Sequence, residues 1–139
     1  MAQPTLSDVR VLEVLRSSGI FASLDEQVLQ DLAGLLQLQF VPGGDIVYRE
    51  GDQANTMFFL ISGRLRVSRR SKDGVLQLYN EIRCGESVGE AGLILQQPRA
   101  ADITALRDST LAILSRADFE RVLSLHPLPL NQVFARAIY

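Results

Sequence analysis

The spacing of apolar residues changes at Leu36, and this change constrains the fold more than any other feature of the chain. Before Leu36 apolar residues recur at helical intervals, and after it they alternate as they do along a half-buried strand. Short strands separated by turns are typical of an antiparallel roll or barrel. We therefore predict an α+β fold with helices flanking a jelly-roll-like antiparallel β-roll. The turn-forming residues are Gly43-Gly44, Gly51-Asp52, Gly63, Asp73-Gly74 and Gly85.

Helices are predicted at both ends of this roll. Residues 1–34 form two N-terminal helices, the first capped by Ser7 and the second opening at Leu24-Asp25-Glu26 with acids in its first turn. Residues 35–115 form the β-roll, and residues 116–139 form C-terminal helices, the first of which begins at Ser115 or Asp118. The second helix buries one stripe of apolar residues: Val28, Leu29, Leu32 and Ala33.

The last predicted helix, residues 130–139, stops without a capping residue. We expect either that the chain belongs to a larger protein or that this helix ends against a partner, as in a homodimer. Within residues 1–139 we predict a single domain.

One hairpin and one buried strand are marked clearly inside the roll. Lys72-Asp73-Gly74 is a strong turn signal between residues 64–70 and residues 75–82. Residues 57–61 (MFFLI) are continuously apolar and predict a buried strand.

Composition narrows the class of protein. The chain has 139 residues, 47% of them hydrophobic, and a formal net charge of −2. This charge does not favour a general binder of nucleic acids or anionic membranes. The single cysteine, Cys84, excludes an internal disulfide, and the single histidine, His126, makes a metal site improbable. Without a signal peptide or an apolar run of ~20 residues, the chain is expected to be cytoplasmic with no membrane span.

The stretch that points to a function is residues 88–103 (VGEAGLILQQPRAADI). Gly89 allows close approach to the backbone, and a short helical turn after it would direct free amides at an anion. Pro98 ends any helix, and the Arg99 guanidinium can fork onto two phosphate oxygens. Glu90 would instead accept hydrogen bonds from hydroxyls, as on a ribose. Phosphate and sugar together indicate a nucleotide.

A competing interpretation rests on Ser87. Residues 85–89 (GESVG) match the G-x-S-x-G pattern of a nucleophile elbow, and an aspartate and His126 follow in the order of a serine hydrolase. The chain lacks the β-α-β alternation that builds the parallel sheet of that class. The hydrolase therefore stays a remote alternative.

Residues 88–103 resemble the phosphate-binding cassette of the cyclic nucleotide-binding domain family, which reads roughly FGELALxxxxPRAATV. The separation between Glu90 and Arg99 fits this pattern without a gap. The resemblance continues at residues 41–52 (VPGGDIVYREGD) and 59–67 (FLISGRLRV), and covers roughly residues 24–123.

The resemblance implies a role for each matching residue. Glu90 would bind the ribose 2′-hydroxyl, Arg99 the exocyclic phosphate oxygens, and the amides of Gly92 and Ala100 would complete the phosphate site. Val67 and Tyr79 would flank the base, and Val88 and Gly89 complete the implied set of ligand-binding residues. Relatives that prefer cyclic GMP commonly carry a hydroxyl after the arginine, so Ala100 favours cyclic AMP over cyclic GMP.

Three positions depart from the family pattern. Val88 stands where Phe is usual, Gly92 where Ala is usual, and Asp102 where Thr is usual. Asp102 would weaken the attraction for phosphate if its carboxylate pointed towards Arg99, and strand alternation leaves its direction open.

The resemblance implies a sensor and not an enzyme. It predicts that cyclic AMP occupancy is relayed through the C-terminal helices to an effector domain, covalently linked or separate. The main alternative is the same fold without nucleotide binding, used for protein docking or dimerisation.

Overall fold

The computed structural model describes residues 9–17 and 21–126, and within them helices flank eight strands. Two helices precede the sheets, α1 (Val9–Ser17) and α2 (Glu26–Leu35). A third, α3 (Glu90–Leu95), interrupts the strands, and a fourth, α4 (Arg116–Leu125), follows them. The strands are β1 (Gln37–Val41), β2 (Ile46–Tyr48), β3 (Thr56–Ser62), β4 (Leu65–Arg70), β5 (Leu76–Ile82), β6 (Ser87–Val88), β7 (Asp102–Ala105) and β8 (Ser109–Ser115).

The strands form two antiparallel sheets of four. One sheet has the order β1-β8-β3-β6, and the other has the order β2-β7-β4-β5. The predicted hairpin is confirmed, because β4 pairs with β5 from Arg70 opposite Leu76 to Leu65 opposite Ile82. The predicted α+β class and antiparallel β-roll are confirmed, and the sheets do not close into a barrel.

Strand β3 separates two hydrophobic cores. Met57, Phe59 and Ile61 belong to a core shared with the helices, whereas Phe58 and Leu60 belong to a core between the two sheets. All five residues are buried, as the apolar run predicted. The strand therefore has no solvent-facing side along this run.

Helix α2 forms as the sequence predicted. Asp25 is its N-cap, since its side chain accepts a hydrogen bond of 3.0 Å from the Val28 amide. Its buried residues are Val28, Leu29, Leu32 and Ala33. These four residues are the predicted stripe.

Of the two predicted starts of helix α4, Ser115 and Asp118, the structure has the first. Ser115 is the N-cap, and its hydroxyl accepts from the Asp118 amide at 3.1 Å. Phe119 and Val122 are its buried residues. The predicted cap at Ser7 and the predicted helix at residues 130–139 lie outside the described residues.

Candidate functional site

The cassette begins where β6 meets α3. Gly89 has φ +90°, a left-handed conformation that glycine adopts without strain, and serves as the N-cap of α3. It offers no capping side chain, so the first amides of this short helix receive no side-chain hydrogen bond. The predicted helical turn after Gly89 is confirmed. Gln96, also left-handed, ends the helix, and the chain continues through Pro98 to Arg99.

The backbone of Arg99 is held by the turn at Gly51-Asp52. The Arg99 amide donates to the Asp52 carbonyl at 2.9 Å, and the Gly51 amide donates to the Arg99 carbonyl at 2.8 Å. This pair of bonds fixes the position of Arg99 against a loop far away in the sequence.

The guanidinium of Arg99 is directed into the protein. Its side chain is buried, with 7% of the residue exposed. Nη1 donates to the Thr56 carbonyl at 2.9 Å, and Nη2 donates to Thr56 Oγ1 at 2.8 Å. The guanidinium carbon lies 4.3 Å from the ring centre of Tyr48 and 5.4 Å from that of Phe58. Both distances are within the range of cation–π attraction.

This buried cation has no ionic partner among residues 9–17 and 21–126, because none of the ion pairs they form involves Arg99. Its Nε is buried and makes no hydrogen bond. Burial lowers the pKa of Arg99, while Tyr48 and Asp52 act in the opposite direction. Burying a charge without an opposite charge costs free energy. The attraction of an anion bound here would offset the cost of desolvating Arg99.

Two glycines of the cassette leave space for this guanidinium. A Cβ on Gly89 would lie 2.6 Å from Arg99 Nη1, and a Cβ on Gly92 would lie 3.0 Å from the same atom. A Cβ on Gly92 would also overlap the Cβ of Ala54. The sequence predicted that Gly89 admits a ligand, and the structure shows that both glycines are needed by the arginine itself.

Glu90, the first residue of α3, is partly buried and accepts a hydrogen bond from the hydroxyl of Ser87. The Ser87 hydroxyl thus has a carboxylate partner, whereas His126 Nε2 lies 2.7 Å from Asp31 Oδ2. Ser87 and His126 engage different partners, so the predicted hydrolase arrangement is not assembled. In the observed arrangement the hydroxyl of Ser87 is bonded to the carboxylate of Glu90 and not to an imidazole.

Asp102 does not turn towards Arg99. Its Oδ1 accepts a hydrogen bond of 2.7 Å from the Glu50 amide, which fixes the carboxylate on the neighbouring loop. The open question of its direction is thereby answered.

The remaining predicted ligand-binding residues lie at different depths. Val88 is buried, and Val67 packs partly buried against the same core between the sheets. Ala100 is exposed beside Arg99. Tyr79 is 56% exposed and is the extra residue of a bulge, since Val67 pairs with Asn80 and Ser68 pairs with Leu78. The structure thus groups Val88, Gly89, Glu90, Gly92 and Arg99, and leaves Tyr79 on an exposed strand.

Sequence reasoning missed Thr56, Tyr48 and Ala54. Thr56 is 43 residues from Arg99 in the chain, and no local pattern links the two. Tyr48 could have been found from its place in the sequence. It lies three residues before the Gly51-Asp52 turn, and that turn holds the backbone of Arg99.

A cavity of about 660 Å³ lies beside the cassette, where α3 meets α4. Arg116, the first residue of α4, donates from Nη1 to the Leu93 carbonyl in α3, and its amide donates to the Asn55 carbonyl at 2.9 Å. Arg116 therefore connects the cassette helix to α4. The cavity is lined by Gln53, Ala54, Asn55, Gln96, Pro98 and Arg116.

Fold and site together define a β-roll domain whose cassette holds a buried guanidinium, without an ion-pair partner in the described part of the chain, beside a glycine-flanked helical turn. A sequence model described as cyclic nucleotide-binding domain matches residues 38–126, more than half of the chain. The chain belongs to the cyclic nucleotide-binding domain family, as the resemblance of its cassette predicted.

One curated relative is lysophospholipase NTE1 of Mycosarcoma maydis. It is 33% identical to this chain over 106 residues, which make up 74% of this chain and 6% of that protein. A lysophospholipase of Aspergillus terreus is 31% identical over 105 residues, 76% of this chain and 7% of that protein. The chain thus spans a small fraction of the length of these relatives.

Solved structures share the fold over most of the chain. The N-terminal domain of a transcriptional regulator from Streptomyces coelicolor A3(2) has a TM-score of 0.83 at 28% identity, covering 90% of this chain and 91% of that one. The regulatory domain of Toxoplasma gondii PKA, solved with cAMP, has a TM-score of 0.78 at 27% identity, covering 87% and 46%. The regulatory subunit of a cAMP-independent protein kinase A from Trypanosoma brucei has a TM-score of 0.77 at 27% identity, covering 91% and 45%.

Residues 9–17 and 21–126 contain no group of three or more His, Cys, Asp or Glu side chains able to hold a metal ion. Over the same ranges, no helix has both the length and the apolar character needed to cross a membrane.

Proposed function

We propose that this domain binds a cyclic nucleotide, with cyclic AMP favoured over cyclic GMP, and acts as a regulatory sensor. The observation that carries the proposal is the buried Arg99 guanidinium, which has no anionic partner among the described residues and whose buried Nε–H makes no hydrogen bond to them. A cyclic phosphodiester supplies the missing negative charge. The Toxoplasma relative solved with cAMP supports the same ligand class.

The other cassette residues take complementary roles in this proposal. Glu90, oriented by Ser87, has a second carboxylate oxygen with which to accept a hydrogen bond from the ribose. The amides of Gly92 and Ala100 complete the phosphate site. Val67 and Tyr79 flank the base, and the exposed position of Tyr79 requires that β5 or the ligand adjust to bring them together.

The path from the cassette to an effector runs through Arg116. This residue joins the Leu93 carbonyl of α3 to the first turn of α4, so a shift of α3 on ligand binding would move α4. A ligand can drive this movement only by binding one helix position more tightly than the other. The effector would lie in a larger protein. Because this chain is similar to part of a lysophospholipase, a lipid hydrolase is one candidate class of effector.

Calorimetric titration with cyclic AMP and cyclic GMP tests the binding step. We expect the wild-type domain to bind cyclic AMP more tightly than cyclic GMP. Arg99→Ala should lose at least about tenfold in affinity for cyclic AMP, because a charge-assisted hydrogen bond contributes ~1.5–3 kcal/mol. Arg49→Ala is the control, since it removes an exposed arginine from the loop that leads to the Gly51-Asp52 turn. Equal losses in both variants would indicate general electrostatic attraction in place of a site.

A second candidate function is protein docking or dimerisation without a nucleotide. It is favoured by the apolar surface of β5 at the edge of its sheet, where Leu76, Leu78 and Tyr79 are between 41% and 62% exposed. The same fold occurs in the regulatory subunit of a Trypanosoma brucei protein kinase A that is described as cAMP-independent. Absence of binding to either nucleotide, together with an oligomer in sedimentation velocity that Leu78→Lys dissociates, would favour this candidate.

A further inference from the structure

The N–H donors of the Arg99 guanidinium are divided between an edge bonded to Thr56 and an edge whose buried Nε–H has no partner among the described residues. A guanidinium has five N–H donors arranged in a plane. Two of these donors bond to Thr56, one to its carbonyl and one to its hydroxyl, so they occupy the end formed by Nη1 and Nη2. The Nε–H lies on the side edge and is buried without a partner.

Side and end edges of a guanidinium can each hold two oxygens of a phosphate. Because Thr56 occupies the end edge, the edge left for a phosphate consists of Nε–H and the second N–H of Nη2. An oxyanion at that edge would satisfy the one buried nitrogen of Arg99 that has no hydrogen bond to residues 9–17 and 21–126.

Aromatic rings and a glycine fix the plane of this guanidinium. Tyr48 covers the guanidinium carbon at 4.3 Å, and Phe58 lies at 5.4 Å. On the Nη1 side, a Cβ at Gly89 would leave no room for the observed position. Burial raises the pKa of Tyr48, so its ring remains a neutral phenol at physiological pH. The side chain of Arg99 is therefore oriented before any ligand arrives.

We propose that Thr56 and Tyr48 are positioning residues that hold Arg99 by its end edge and so present its Nε edge to the phosphate of the ligand. This inference rests on the proposed function, because it concerns how the same site orients its anion. Thr56 and Tyr48 touch only Arg99 in this role and contribute to binding through it.

Two variants of Thr56 separate its hydroxyl from its shape. Thr56→Val keeps the branched side chain and removes Oγ1, whereas Thr56→Ser keeps the hydroxyl and serves as the control. The Thr56 hydroxyl orients the Arg99 guanidinium, which remains present in both variants. We therefore expect Thr56→Val to weaken cyclic AMP binding roughly three- to tenfold. Thr56→Ser should bind cyclic AMP with an affinity near that of the wild type. Tyr48→Leu should weaken binding, while Tyr48→Phe should not, because Phe retains the aromatic face.

A spectroscopic measurement reports on the edge directly. In ¹H–¹⁵N spectra the Nε–H signal of Arg99, assigned by its loss in Arg99→Lys, should move strongly when cyclic AMP is added to the wild-type domain. A smaller movement is expected in Thr56→Val. A purely structural role for Thr56 would lower thermal stability without changing how far this signal moves at saturation.

Different outcomes separate this inference from the proposed function. If neither cyclic AMP nor cyclic GMP binds the wild-type domain, the proposed function fails and this inference fails with it. If cyclic AMP binds but the Nε–H signal stays in place, the function stands and the assigned edge is wrong. If Thr56→Val binds more tightly than wild type, Thr56 competes with the ligand for Arg99, which overturns the positioning role.

Discussion

Gly92 and Ala54 share one small space beneath the cassette helix. A Cβ added to Gly92 would overlap the Cβ of Ala54 and approach Arg99 Nη1 to 3.0 Å. Gly92 lies inside α3 and is buried, so intrinsic helix propensity and packing act in opposite directions at this position. Propensity favours Ala by up to ~1 kcal/mol, whereas overpacking costs about 1–3 kcal/mol. Packing is therefore expected to decide the outcome.

We predict that Gly92→Ala lowers the free energy of unfolding by up to about 2 kcal/mol, which is the overpacking cost that remains after the gain in helix propensity is subtracted. Combining it with Ala54→Gly should recover part of the loss, because the second change removes the overlapping methyl group. Urea unfolding of the single and double variants measures this coupling.

Gly34→Ala is the matched control for this prediction. Gly34 is also helical, in α2, and a Cβ there would meet nothing within 4 Å. The control should be neutral or stabilising, by up to ~1 kcal/mol. Additive effects of Gly92→Ala and Ala54→Gly would show that the two methyl groups do not compete.

The sequence predicted individual site residues where the signal was local. Glu90, Gly89 and Arg99 lie in one cassette, and their spacing carried the prediction. The contacts that hold Arg99 in place, at Thr56 and Tyr48, come from β3 and β2 and depend on how the sheets pack. Such contacts leave no periodic pattern in the chain, so local reasoning could not find them.

Among the helices, α2 and α4 are joined by one polar pair across their contact. His126, the C-cap of α4, lies 2.7 Å from Asp31 of α2. The hydrogen bond from His126 lowers the pKa of Asp31, and a second hydrogen bond from Gln27 acts in the same direction. The folded protein therefore favours the ionised carboxylate.

This lowered pKa predicts a pH dependence of stability. A carboxyl whose pKa is depressed in the folded state contributes stability above its unfolded pKa, and the contribution is lost as pH falls through the folded pKa. We expect Asp31→Asn to lower Tm at pH 7, and the difference from wild type to shrink as the solution is acidified through the range in which aspartates titrate.

Thermal unfolding at several pH values measures this difference. Asp73→Asn in the β4–β5 turn is the control, because Asp73 forms no ion pair within the described ranges. A difference for Asp31→Asn that stays constant with pH would assign its effect to packing.

Elements with strong local signals were predicted well. Helix α2 was predicted with its acidic opening and its buried stripe, and the hairpin was predicted with its turn, because such residues act within a few positions. The bulge at Tyr79 was not predicted. It depends on the register between β4 and β5, which no residue in either strand specifies alone.

At the scale of the whole molecule, ligand binding and folding are linked. A ligand that binds only the folded state stabilises it by about 2.7 kcal/mol at a concentration of 100 times Kd. For a chain of this size we expect cyclic AMP to raise Tm by roughly 5–10 °C at that concentration. Thermal shift measurements with both nucleotides check this expectation.

Arg99→Ala should lose this rise in Tm, and Arg49→Ala should keep it. A rise that persists in Arg99→Ala would place the nucleotide elsewhere on the domain. The α+β class and the antiparallel β-roll of the described residues were predicted correctly from the change in hydrophobic spacing, since that spacing sets which segments can share a sheet.

Strand β3, with a core on each side, has a further consequence for how this gene can vary. A segment that never meets solvent offers no position at which a charge could be introduced without harm, and every methyl group lost there leaves a void. Neutral drift should therefore be slowest along residues 57–61, even though none of these residues carries the ligand chemistry.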